Sequence, residues 1–134
     1  MRRDLNSFLI LQIMAAIVAL LSFRFIAERW QAALVAGGFF VFVGVWMVLK
    51  TLRWNARFRA LSFYFARIHL WIFALPMLLL RLRNVSQDFS HMHFFGIPAP
   101  MFHRVSEIVF LTMVLATIID LWRVRSGKLQ EVTK

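Results

Sequence analysis

Three of the four histidines, His91, His93 and His103, fall within SQDFSHMHFFGIPAPMFHRVSE, residues 86 to 107, together with Met92, Met101 and Glu107. Imidazole beside thioether is a donor set suited to copper, and two imidazoles with a carboxylate suit zinc or iron. His91 and His93 alternate with Met92, so an extended segment puts both rings on one face. Pro100 fits the first turn of a helix, where its missing N–H leaves nothing unsatisfied, and a helix from there sets His103 and Glu107 one turn apart on one face. For all three histidines to share an ion the loop must fold back on itself, and no other ligand helps to order it. FFGIPAPMF reads instead as a segment whose aromatics insert at a membrane interface or against a partner. The expectation is an outer loop over Phe89 to Pro100 and no metal held by His91, His93 and His103.

Two further groups lie inside apolar runs. A charged side chain at the centre of a membrane helix costs about 2.5 to 3.5 kcal/mol on insertion scales, so Arg67 and Asp120 need an explanation. Arg67 sits about two turns into its run and can extend its guanidinium toward the headgroups. Asp120 lies at a similar depth in the following, oppositely directed run, and the two are expected to approach within hydrogen-bonding distance. A proton or ion relay is the competing reading, weakened by the presence of one buried acid. His69 is two residues from Arg67, about 200° around a helix, and is expected to bond to a neighbouring helix.

His69 has no counterpart in another run, which argues against a bis-histidine haem within one copy; a single axial histidine or a haem shared between copies stays open. HRVSE at His103 resembles the His-Arg-x-Ser-Gly string near the first membrane helix of succinate dehydrogenase cytochrome subunits. Glu107 stands where that string has glycine, and the one run that follows has no histidine, so the family's haem ligation does not carry over. Nucleophile elbow, phosphate loop, paired carboxylates and His-Glu-x-x-His are all missing from the chain. The reading is a non-enzyme with no catalytic, cofactor-binding or metal-ligating residues and no cofactor.

The elements that position these groups follow from composition. Of 134 residues, 61% are hydrophobic and 16% charged, far from the soluble average. Four apolar runs, each about 20 residues with its flanks, match the roughly 30 Å hydrocarbon core of a bilayer at about 1.5 Å per residue. The fold class is all-α: a polytopic membrane protein whose single domain is an antiparallel up-down bundle of four transmembrane helices, at approximately 6–26, 32–50, 60–80 and 102–122. The first run is longer than a usual signal core and lacks a clear small-x-small cleavage site, so it is expected to remain as a span. Without cysteine there is no disulfide and no thiolate chemistry.

The formal charge of +10 is a matter of topology. Arg2, Arg3, Lys50, Arg53, Arg57, Arg59, Arg123, Arg125, Lys128 and Lys134 fall on one side of the four-span arrangement. Arg24, Arg29, Arg81, Arg83 and Arg104 fall on the other. The positive-inside rule then puts both termini and the middle loop in the cytoplasm, and the protein in the inner (cytoplasmic) membrane. The basic residues attract anionic lipid, and nucleic acid is not an expected partner. Ala15, Ala19 and Ser22 in span one and Ala33, Gly37 and Gly44 in span two form small-residue faces expected to pack against each other. Trp30, Trp54 and Trp122 fall at the predicted interfaces, and the tail from Arg123 reads as a solvated end, with a docking strip as the alternative.

The first functional expectation is a non-catalytic accessory, assembly or structural subunit whose partners are the lipid bilayer and other membrane subunits or copies of itself. The alternatives are a small oligomeric transporter or channel with Arg67 and Asp120 lining its path, and a metal- or haem-linked redox subunit using the outer histidines.

Overall fold

The computed structural model describes residues 1–85 and 88–129. Lys134, one of the basic residues assigned to the terminal side, and the Ser86 and Gln87 start of the outer loop lie outside the described residues. The chain folds as α1 (Arg2–Phe25), α2 (Arg29–Thr51), α3 (Leu61–Arg83) and α4 (Ala99–Arg125), all four long and apolar enough to cross a membrane. Each helix extends to or beyond most of the expected limits, because backbone hydrogen bonding continues into the flanking charged residues. At 24, 23, 23 and 27 residues, the helices exceed the roughly 20 needed to span the core, so their ends reach the headgroup zone or the helices tilt.

Only residues 26–28 separate α1 from α2. So short a link cannot recross a bilayer, and the pair is antiparallel. α1 packs on α2 and α4, and α3 packs on the same two helices, which closes an antiparallel four-helix ring. The start of α1 and the end of α4 lie at one end, called here the terminal end; the hairpin between α3 and α4 lies at the distal end.

The glycine face of α2 meets α3, not α1 as the small-residue pattern suggested. A Cβ on Gly44 would stand 3.0 Å from Leu70 Cδ1, and one on Gly37 would stand 3.3 Å from Leu78 Cδ1. Two leucines of α3 thus fill the shallow places on α2; Ala15 of α1 and Ala32 and Ala36 of α2 are also buried. The two glycines are seven residues apart and their leucines eight. The extra residue is absorbed by a π-helical turn over His69–Ala74, where Leu75 N–H donates to Leu70 C=O, five residues back. Pro76 explains the turn's position: a proline within a helix lacks its donor and crowds the carbonyl four residues earlier, and a wider turn relieves both problems.

Two cores result. At the terminal end Leu5, Phe8, Met47, Trp54, Phe63, Leu121 and Leu129 belong to one buried cluster. At the distal end Phe73, Met92, Phe94, Ala99 and Phe102 form another. Its lid is an antiparallel pair, β1 (His93–Phe94) and β2 (Ile97–Pro98), joined by Phe95 and Gly96. Both turn residues have positive φ, 54° and 80°, the geometry of a two-residue hairpin turn whose twist matches its strands. Pro100 lies in the first turn of α4, as its position in the sequence predicted.

Candidate functional site

The polar groups of the bundle gather at the terminal end, around Asp120. Helix α3 begins at Leu61 without a side-chain cap of its own, leaving first-turn N–H groups that no carbonyl within α3 can reach. Asp120, near the end of α4, supplies the missing acceptors. Its Oδ1 accepts from Leu61 N–H at 3.2 Å, and its Oδ2 accepts from Ser62 N–H at 2.8 Å and Ser62 Oγ at 2.7 Å. Arg123, one turn on, donates Nη1 to Asp120 Oδ1 at 3.1 Å and to Arg59 C=O at 2.9 Å. Asp120 is 0% exposed. A negative charge at the N-terminus of α3 is also where the helix dipole favours it.

The expected Arg67–Asp120 pair is therefore absent, and Arg123 takes the acid instead. Five residues separate Ser62 from Arg67, about 140° around a helix, so the face that meets Asp120 is not the face that carries the arginine. Arg67 Nη1 donates to Thr51 Oγ1 on α2 at 3.1 Å and to Phe63 C=O at 2.8 Å. Its guanidinium carbon lies 3.5 Å from the Phe63 ring centroid.

Two other contacts seal this end. Trp54 donates Nε1–H to Asp4 Oδ2 at 2.8 Å and stacks on Phe8 with centroids 5.4 Å apart. At 1% exposed it belongs to the core at this end of the bundle. After α4 the chain turns at Gly127, with φ of 76°, and Leu129 N–H donates to Arg123 C=O at 3.0 Å. Leu129 is buried in the terminal core. The tail thus docks through Leu129, where a solvated end was expected.

Deeper in the bundle, Gln12 joins three helices. Its Nε2 donates to Thr117 Oγ1 at 3.0 Å and approaches Met47 Sδ at 3.7 Å. Thr117 directs its own hydroxyl hydrogen to Met113 C=O at 3.0 Å, which leaves its lone pairs for the amide. The isolated polar residue in the apolar sequence FLILQIMAA was the only signal for this site, and its partners lie 35 and 105 residues away. His69 lies at the start of the π turn, with ring centroids 5.9 Å from Phe40 and 5.5 Å from Phe110. Its buried ring packs between aromatics; the hydrogen bond expected for it is not formed among the described residues.

At the distal end His103 Nδ1 is 3.4 Å from Glu107 Oε1 one turn on, as the helix spacing predicted. Phe89 meets His103 edge to face at 6.1 Å. His91 ends a short 3₁₀ turn and His93 begins β1. Among the described residues no three histidine, aspartate or glutamate side chains converge as metal ligands would. Asp88 accepts from Ser90 N–H at 3.2 Å, and that bond holds its carboxyl below the usual carboxylate range. The aromatics of the loop divide. Phe94 turns inward and stacks on Phe102 at 4.7 Å, unlike the outward insertion expected of it, whereas Phe95 is 75% exposed. A shallow groove of about 270 Å³ runs between Phe94, Phe95 and His93 of the hairpin and Pro76, Leu79 and Arg83 of α3.

The arrangement joins helices and presents an apolar tip; the buried acid is taken up by helix capping and one ion pair. Comparison with known proteins finds no family model, no curated protein and no solved structure that matches this chain.

Proposed function

We propose that this small membrane protein is a non-catalytic accessory, assembly or structural subunit of a larger complex in the inner membrane, with both termini cytoplasmic. The observation that carries this reading is the use made of Asp120: its two oxygens hold the start of α3 and Arg123, an arrangement that supports a rigid scaffold. The distal hairpin adds a surface for a partner. Phe95 occupies left-handed backbone that a bulky residue rarely adopts, and it holds its ring outward at the tip. Strain of this kind, about 1 to 3 kcal/mol, persists where surrounding structure enforces it and clusters at binding sites. The charge division supports the orientation, with most basic residues at the terminal end.

Copurification of the full chain from its native membrane in mild detergent tests the proposal. A larger membrane protein in fixed stoichiometry is the expected result. A chain recovered only as a monomer would refute the subunit reading, and one recovered only as a ring of copies would favour the transporter alternative. Reporter fusions after Lys134 and in the hairpin should report opposite sides, with the C-terminal fusion cytoplasmic.

A further inference from the structure

We propose that Arg57 and Arg67 form a clamp for the phosphate of an anionic membrane phospholipid. Both arginines rest on one aromatic shelf. The Arg57 guanidinium lies 4.9 Å from the Phe58 centroid and that of Arg67 lies 3.5 Å from the Phe63 centroid. The two rings meet edge to face at 5.5 Å. Each guanidinium is anchored through Nη1, Arg57 to Leu52 C=O at 3.0 Å and Arg67 to Thr51 Oγ1 and Phe63 C=O. Nη2 and Nε of both make no hydrogen bond among the described residues.

An anchored arginine with a free edge suits bidentate recognition of phosphate, since the planar fork is already oriented. Two such cations share the shelf, and among the described residues no carboxylate answers them. Asp4 accepts from Trp54, and Asp120 is enclosed by Leu61, Ser62 and Arg123. Thr51 supplies no counter-charge, because its hydroxyl is neutral: it gives its hydrogen to Val48 C=O at 2.8 Å and accepts from Arg67. The depth suits a headgroup. Arg67 lies about 9 Å along α3 from Leu61 by helical rise, and its side chain bends back to the carbonyl of Phe63, one turn nearer the terminal end.

Lipid rather than free phosphate is indicated by the surroundings. Phe58, Leu61 and Tyr64 are exposed apolar surfaces on the same segment, and Tyr64 is fixed in place by donating its hydroxyl to Phe58 C=O at 2.9 Å. A glycerol backbone and acyl chain would cover what water otherwise meets.

The test uses the purified full chain in nanodiscs of phosphatidylcholine containing a minor share of phosphatidylglycerol, followed by native mass spectrometry. One phosphatidylglycerol should be retained per chain in preference to phosphatidylcholine. Arg67→Gln and Arg57→Gln should each lower that retention about tenfold, the scale of one charge-assisted hydrogen bond. Arg53→Gln, at an exposed position in the same connection, should leave it unchanged. Arg57 lies outside the four long helices, in a short 3₁₀ turn, so its variant keeps the test decisive even where Arg67→Gln impairs folding. Equal retention of both lipids, or equal loss in the Arg53 variant, would overturn the proposal. Displacement of the lipid by soluble glycerol phosphate at comparable concentration would show that the clamp takes free phosphate and would equally overturn it.

Discussion

Replacing Asp120 with alanine removes every acceptor from the start of α3 while leaving its donors in place. Leu61 and Ser62 lose their N–H partners, and the Ser62 hydroxyl, which is fully buried, loses its 2.7 Å bond. Loss of an N-cap is worth about 0.5 to 2 kcal/mol, and stranding a buried donor adds about 1 to 3 kcal/mol. Arg123 is 24% exposed and can turn to water, so its ion pair is discounted to under about 1 kcal/mol. The expected loss is about 1.5 to 6 kcal/mol for Asp120→Ala. Asp120→Asn should lose about 2 to 3 kcal/mol, since the amide keeps one acceptor but turns an NH₂ toward a donor. Reversible unfolding in mixed micelles, followed by tryptophan fluorescence, measures these values. A double-mutant cycle then separates the partners: coupling of about 0.5 to 1 kcal/mol between Asp120 and Arg123, and none resolvable between Asp120 and Arg67. A loss under about 0.5 kcal/mol in Asp120→Ala, or coupling to Arg67 larger than that to Arg123, would show that the cap has been misassigned.

Gly44→Ala places a methyl 3.0 Å from Leu70 and should destabilise the bundle by about 1 to 3 kcal/mol. Gly38→Ala meets nothing within 4 Å and should be neutral or stabilising by up to about 1 kcal/mol; the same unfolding assay distinguishes the two. Phe95→Asn should stabilise the isolated chain by about 1 kcal/mol, because asparagine tolerates positive φ, yet weaken recovery of the partner in copurification. The Asp88 carboxyl should titrate by NMR below its ordinary value of 3.8. Because its folded value is depressed, the contribution of its bond to Ser90 is complete above the ordinary carboxylate pKa and is lost as pH falls through the folded value. Acidification below that point should therefore increase amide exchange at Ser90, and Asp88→Ala should show fast exchange at all pH values.

The features legible in sequence are those that local sums determine. Apolar runs of membrane length and the short link around Glu28 to Gln31 specified four helices and the direction of the first two, and Pro100 marked the start of α4 because the restriction lies in its own ring. His103 and Glu107 likewise meet because one helical turn relates them. Depth along the membrane is also a local property, so Arg67 and Asp120 could be placed at similar heights. Which way each pointed could not, because rotation about a helix axis depends on what packs there. Tertiary structure turned Asp120 to the first turn of α3 and gave it Arg123, and turned Arg67 toward Thr51. It set the glycines of α2 against Leu70 and Leu78, a match of seven residues to eight that holds only because Pro76 is preceded by a π turn. Trp54 could be set at the level of a membrane interface and Leu129 in a tail read as solvated, both from their charged neighbours; that both are buried was decided by the hydrophobic effect, which acts on whole surfaces and left them the gap between the helix ends to fill.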